Sequence, residues 1–194
     1  GFGTREGNPD EEPYLKALNE AFGVSATPQS GSDYCGLLLS DLPDGSLLVS
    51  QKGYVERMVD EFIPDRKAMD TPAARDFMEP PENSPPCDVH EYQRIVGSLI
   101  HCLKTRPDIY FHISVLAQSM AAPRQHDLQA ALRLMQFLKS TSNEGITFKP
   151  FDRKKPIKIY AWVDASFGTH RKSGESHLAY FLTLGRPDNG SVLA

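Results

Sequence analysis

The sequence predicts an α+β chain, in which a β-hairpin with flanking helices is followed by a three-helix cluster and then a terminal antiparallel sheet. Three observations carry this expectation. Apolar residues recur at helical spacing through residues 92–141, the spacing changes to every second residue near Ile146, and two strand-like runs flank Leu42-Pro43-Asp44-Gly45.

The elements follow in chain order. Residues 10–22 read as a short amphipathic helix, with Pro9 and Asp10 at its start, Glu11 and Glu12 in its first turn, a stripe of Leu15, Leu18 and Phe22, and Gly23 to end it. After a polar linker, Tyr34 to Leu39 and Ser46 to Ser50 form the two runs of a hairpin, since proline fixes φ in the turn between them and glycine permits positive φ. Gln51 to Phe62 carries Tyr54, Val55, Met58, Val59 and Phe62 on one helical face, and Pro64 stops it. Residues 64–90 hold six of the fifteen prolines with acidic residues between them, which predicts an extended or mobile connector.

Three helices then come in close succession. Tyr92, Ile95, Val96, Leu99 and Leu103 line the first, Ile109, Ile113, Leu116, Ala117 and Met120 the second, and Leu128, Ala131, Leu132, Met135 and Leu138 the third. Pro107 and Pro123 stand at helix starts, where a missing N–H does least harm. Gly97, inside the first, leaves room for a closely packed partner helix. Beyond Ile146, Ile157, Ile159, Ala161 and Val163 face one way and Lys158, Tyr160, Trp162 and Asp164 the other, as in a half-buried strand. Residues 177–184 form a second strand and residues 191–194 open a third.

Composition narrows the function classes. The 194 residues are 40% hydrophobic and 24% charged, with no apolar run near the roughly 20 residues of a spanning helix and no signal-peptide order at the start. No membrane association and an intracellular setting, cytoplasmic or nuclear, are therefore expected. Cys35, Cys87 and Cys102 are odd in number and widely spaced, which suits neither a disulfide framework nor a zinc site. The net charge of −4 joins unlike halves: residues 1–92 hold 18 acidic and 7 basic side chains, −11, and residues 93–194 hold 7 acidic and 14 basic, +7. The second half has the charge expected of a surface facing phosphates, although solvated faces of two mutually attracting subdomains would show the same asymmetry.

Asp164 is the candidate catalytic residue, because it closes a strand opposite the aliphatic stripe and the small residues Ala165, Ser166 and Gly168 follow it. A strand-end aspartate equally serves as a turn or cap residue. No phosphate loop, nucleophile elbow or Cys/His pairing at ligand spacing is present, and His101-Cys102 reads as a packed helical pair.

Several segments, in order, resemble copia-type retrotransposon reverse transcriptases. They are Tyr92-Gln93-Arg94-Ile95-Val96-Gly97-Ser98-Leu99, Thr105-Arg106-Pro107-Asp108-Ile109, then Pro123 and His126, and Phe137-Leu138-Lys139-Ser140-Thr141. Upstream, Tyr34-Cys35-Gly36-Leu37-Leu38-Leu39 and Leu48-Val49-Ser50-Gln51 with Tyr54 resemble the hairpin before that family's thumb. Downstream, Val163-Asp164-Ala165-Ser166 and Arg171-Lys172-Ser173 resemble its RNase H opening.

The resemblance implies residues 1–50 as the end of the palm with a primer-grip-like hairpin at Cys35, Gly36 and Leu37. It implies residues 51–142 as a helical thumb-like bundle interrupted by the connector 64–90, and residues 146–194 as an incomplete RNase H-like antiparallel sheet. Asp164 is then the first metal-binding carboxylate, and Mg²⁺ the cofactor of the intact parent enzyme. The expected partners are an RNA–DNA or DNA duplex, held weakly and without sequence preference, and the remainder of the Pol polyprotein.

Lys104, Arg106, Arg124, Arg133 and Lys139 are the candidate phosphate contacts, since phosphate binding needs only cations along the backbone path. The chain has no Asp-Asp pair, and the family's polymerase motif is expected just before Gly1 and the remaining RNase H carboxylates past Ala194. One aspartate cannot hold two metals, so this chain alone is expected to be inactive and to bind no metal by itself. Two functions follow: a duplex-gripping part of a reverse transcriptase/RNase H, or a domesticated or decayed remnant acting as a non-catalytic interaction module.

Overall fold

The computed structural model describes residues 11–23, 33–79, 81–150, 158–166, 176–185 and 191–192. These residues form helices and two small antiparallel sheets, with the main core between the helices.

Helix α1 spans Glu11–Phe22, and its predicted start at Pro9 and Asp10 lies outside the described residues. Gly23 ends it in the left-handed region, its N–H donating to the Asn19 carbonyl at 2.8 Å. Phe22, on the predicted apolar stripe, is 76% exposed.

The first sheet contains β1 (Asp33–Tyr34), β2 (Leu37–Asp41) and β3 (Leu47–Ser50). Here the sequence-based expectation of one strand from Tyr34 to Leu39 is corrected: Cys35 and Gly36 both have positive φ, +53° and +79°, and turn the chain so that Tyr34 pairs with Leu37. Positive φ at both central residues is what a two-residue hairpin loop requires, and it breaks the run into two strands. The β2–β3 turn forms around Asp44, whose carboxylate accepts from the Ser46 N–H at 2.9 Å; that bond holds its pKa below the ordinary carboxylate value.

Helix α2 (Lys52–Phe62) buries Val55, Met58 and Val59. It is followed by α3 (Val89–Cys102), a single 3₁₀ turn at Pro107–Ile109, α4 (Tyr110–Ala117) and α5 (Gln125–Ser140). Asp88 caps α3 by accepting from the Glu91 N–H at 2.7 Å, and Asp127 reaches back to the Arg124 N–H at the start of α5 at 2.9 Å. The α3 stripe Tyr92, Ile95, Val96 and Leu99 is fully inside, packed with Ile109, Ile113 and Leu116 and with Leu128, Ala131, Met135 and Leu138. Val115 and Leu134 join this core although the stripes omit them, and Ala117 is exposed.

Polar clamps join the helices. The Tyr92 hydroxyl donates to the Leu116 carbonyl at 2.7 Å, tying α3 to the end of α4, and the Tyr54 hydroxyl donates to the Ser98 carbonyl at 3.0 Å, tying α2 to α3.

Gly97 does not serve the close helix contact expected of it. It is exposed, and a Cβ there would meet no atom within 4 Å. Gly97→Ala is therefore expected to stabilise the chain by about 1 kcal/mol through helix propensity, raising the thermal midpoint by roughly 2–4 °C. A melt showing destabilisation would mean that the added methyl group meets a neighbour within the chain.

The connector is extended but not loose. It runs antiparallel along α5, with Lys139 donating to the carbonyls of Pro64 and Arg66, Gln136 to that of Lys67, Ser140 to that of Met69, and Arg133 to the Thr71 hydroxyl. At the far end of the helix, Ser84 takes the Arg124 guanidinium on its carbonyl and the His126 N–H on its hydroxyl, while Phe77 is buried against the core. Of the extended or mobile connector expected, the structure shows an extended segment that these hydrogen bonds hold against α5.

Strand β4 (Gly145–Phe148) pairs antiparallel with β3, from Leu47 with Phe148 to Ser50 with Gly145. The change of period near Ile146 thus marks the last strand of the first sheet. A Cβ at Gly145 would collide with the Val49 carbonyl, so glycine permits the two backbones to meet there.

The second sheet is a meander of β5 (Ile159–Ser166), β6 (His177–Leu184) and β7 (Ser191–Val192). Cross-strand register puts Ile159, Ala161 and Val163 on one face with Leu182 and Tyr180. This strand was expected to be half-buried, and that is corrected: Ile159 is 66% and Val163 68% exposed, so the aliphatic face lies open.

Candidate nucleic-acid interface

The five candidate cations have different fates. Arg106, in the turn between α3 and the 3₁₀ turn, is only 3% exposed. Its Nε and one terminal nitrogen form a two-pronged pair with Asp108 at 2.9 and 2.7 Å, and the other donates to the Thr141 carbonyl and hydroxyl at 2.9 and 2.8 Å. Glu144 adds a contact at 3.5 Å, and the guanidinium lies 5.5 Å from the Phe137 ring centre. Its donors are spent inside the protein, so Arg106 is withdrawn from the set of phosphate contacts. Asp108, two residues on, is the sequence signal for this role, because the fork of a guanidinium matches a carboxylate.

Lys104 is exposed in the same turn. Arg124, Arg133 and Lys139 line up instead along α5, where each holds the connector by the bonds given above. Those bonds employ some of their donors and fix the side chains in place. A guanidinium has five N–H donors, so such an arginine can still face an anion.

Cys35 and Gly36 form the β1–β2 loop and Leu37 begins β2, with Cys35 exposed. Asp164 lies in β5 opposite Ala179 and is exposed. Among the described residues no group of three or more His, Cys, Asp or Glu side chains comes together in a way that could hold a metal ion. Magnesium takes six oxygen ligands, commonly one or two carboxylates with waters and phosphates, and the described residues bring no cluster of three candidate ligands to Asp164. The described residues alone therefore do not make up a metal centre. The predicted Arg171-Lys172-Ser173 segment and Gly168 lie outside the described residues.

Burial sets the remaining ionisable groups. It pushes the Cys102 thiol up to about 12 and raises that of Cys87 as well, so neither is poised as a thiolate. Burial also lowers the pKa of His112, partly opposed by Asp108; its ring packs 5.5 Å from Phe77 and 5.6 Å from Phe111. A lowered folded-state pKa means that above the ordinary histidine value of about 6.5 both folded and unfolded chains are neutral there. As pH falls below it, the unfolded chain takes up the proton first and stability drops until the folded imidazole titrates. Urea midpoints are accordingly expected to fall between about pH 7 and pH 5, and His112→Gln to flatten that fall. An unchanged slope in the variant would place the acid sensitivity elsewhere.

Among the described residues no helix is long and apolar enough to cross a membrane. No protein-family model matches the chain, and no solved structure matches it significantly. Curated relatives do. The chain is 35% identical over 98 residues, half of its length, to the retrovirus-related Pol polyprotein from transposon RE1 of Arabidopsis thaliana. It is 28% identical over 138 residues, 70% of its length, to a putative transposon Ty5-1 protein of Saccharomyces cerevisiae. It is 25% identical over 180 residues, 88% of its length, to the retrovirus-related Pol polyprotein from transposon RE2 of Arabidopsis thaliana. The chain spans 6%, 44% and 12% of these relatives. Their shared character supports a retroelement origin, and the chain is homologous to parts of retrovirus-related Pol polyproteins from transposons.

Proposed function

We propose that this chain is the part of a copia-type reverse transcriptase/RNase H that grips primer–template duplex. The observation that carries the reading is the transposon Pol polyprotein match over 88% of the chain. In it, α2 to α5 act as the thumb, the β1–β2–β3 hairpins as the primer grip, and β5 to β7 as the opening of RNase H. The basic second half supplies the attraction, and Lys104 is its exposed helix-turn cation. Base specificity is not part of the role, because cations meeting phosphates carry no sequence information. Magnesium would belong to the intact enzyme, with its remaining ligands outside the described residues.

The test is a salt titration with a labelled RNA–DNA duplex. Each phosphate contact contributes about 0.9 to the negative slope of log K against log salt, so Lys104→Glu should lower the slope by about one contact while leaving the melting curve unchanged. No binding at low salt would overturn the reading.

One observation favours the second reading, a non-catalytic interaction module. Ile159, Val163, Leu178 and Tyr180 are each more than 60% exposed on one sheet face, an arrangement typical of protein contact surfaces.

A further inference from the structure

Among the described residues two side chains with a hydroxyl precede a proline, in Thr71-Pro72 and Ser84-Pro85, and both stand in the connector. The structure treats them oppositely. Ser84 is 6% exposed, with its carbonyl taking the Arg124 guanidinium and its hydroxyl the His126 N–H, so it is closed to an enzyme. Thr71 is exposed, and its hydroxyl accepts from a terminal nitrogen of Arg133 at 2.8 Å.

The backbone at Thr71 suits an enzyme that reads extended chain, because Pro72 disfavours the helical region for the residue before it. Just upstream the connector is held: the Met69 N–H donates to the Gln136 carbonyl at 3.1 Å, and the Met69 carbonyl accepts from the Ser140 hydroxyl at 2.7 Å. Among the described residues the next backbone bond is a local one, from the Phe77 N–H to the Ala74 carbonyl. Residues 70–72 therefore lift from α5 without breaking a backbone bond to it. What has to be released is the bond between Thr71 and Arg133.

We infer that Thr71 is the acceptor of a proline-directed protein kinase, and that the phosphate it receives closes on Arg133 and withdraws that guanidinium from the duplex surface. In the transfer the Thr71 hydroxyl oxygen bonds to the γ-phosphorus of ATP, the bond from that phosphorus to the bridging oxygen breaks, ADP leaves, and the hydroxyl proton passes to the kinase's base. Thr71 then carries up to about two negative charges and three acceptor oxygens beside a guanidinium that it already meets as a neutral group. A charge-assisted bond replaces a neutral acceptor, and the fork of Arg133 suits a phosphate. Arg133 shares α5 and its N-cap with Arg124 and Lys139, so the phosphate offsets about two of the three positive charges in that row. Asp70, exposed and next in sequence, repels the phosphate and limits how tightly it closes. The withdrawal from duplex rests on the duplex-gripping reading; the site and its closure on Arg133 do not.

The experiment treats the full chain with a purified cyclin-dependent kinase and ATP, and maps the phosphate by peptide mass spectrometry. Phosphate is expected on Thr71 and absent from Ser84. A phosphorus NMR titration then reads the closure. The second phosphate pKa, about 6 in a free phosphopeptide, is expected to fall to about 5 beside the guanidinium, and Arg133→Gln to restore it. Duplex affinity at low salt should drop roughly tenfold on phosphorylation, with the salt slope lowered by about 0.9, one contact. Thr71→Ala treated with the same kinase should keep the affinity of the untreated chain, which sets aside phosphate on any other residue. No phosphate on Thr71 would overturn the site, and a phosphate that titrates as in the peptide would overturn its closure on Arg133. Should Arg133→Gln loosen the connector, the titration of the parent chain decides alone. Duplex affinity unchanged by phosphate on Thr71 would overturn the withdrawal. An untreated chain that binds no duplex overturns the duplex-gripping reading and the withdrawal with it, while mapping and titration still decide the site and its closure.

Discussion

Replacing Arg106 by methionine is expected to destabilise the chain by about 3 kcal/mol, the low end of the cost of breaking a buried ion pair. The low end applies because Asp108 and Glu144, at 47% and 62% side-chain exposure, can turn back to water once the guanidinium is gone. What cannot be recovered is the bridge to the Thr141 carbonyl and hydroxyl, which anchors the end of α5 to the turn after α3. Methionine keeps much of the packing against Phe137, so the loss reports on the polar bridge. Arg106→Lys should fall between, since an ammonium cannot form the two-pronged pair. Urea unfolding measures all three; a methionine variant as stable as the parent would mean that the bridge contributes little beyond its own desolvation cost.

The other large effect is expected at Tyr92, fully buried and in contact with the core of all three cluster helices. Tyr92→Ala should cost about 3–5 kcal/mol, as for other large-to-small changes of aromatic core residues. Tyr92→Phe isolates the hydroxyl, whose bond to the Leu116 carbonyl should account for about 1–2 kcal/mol. Burial raises the pKa of that hydroxyl, so it stays a donor across the accessible pH range. An alanine variant losing under about 1 kcal/mol, the size of an ordinary surface change, would contradict the packing of the cluster.

The helices were legible because their signal is local. A stripe such as Tyr92, Ile95, Val96 and Leu99 needs only 3.6-residue geometry and one buried face, and the structure buries it. The Leu42 to Gly45 turn was legible for the same reason. Illegible features depended on partners distant in sequence. Nothing in residues 145–148 names β3 as their neighbour, and the hydrogen bonds pinning the connector to α5 have no period to detect. Cys35-Gly36 carried a real signal, glycine at a position of positive φ, but the apolar run around it masked the turn.

At the candidate interface, charge was visible and commitment was not. Arg106 and Lys104 look alike in sequence, yet one lies buried against Asp108 and the other remains exposed. Arg66, Gln129 and Gln136, which join the connector to α5, were missed because a helix and a connector distant in sequence meet only in three dimensions.

The pairing of β3 with β4 sets an order of events during folding. The hairpin of β2 and β3 closes over a short turn, whereas Ser50 meets Gly145 only after residues 51–144 have been gathered in, a closure whose entropy must be met before its hydrogen bonds form. The helices and connector occupy that interval and shorten the search, since Gln51 beside β3 is bonded to Thr105 and Arg106 to Thr141 at the end of α5, so the last strand arrives by docking on a preassembled scaffold. Strand β3 accordingly spends the early life of the chain with one edge unpaired, and the time taken to assemble α3 to α5 governs how long that edge is open to pairing with another molecule.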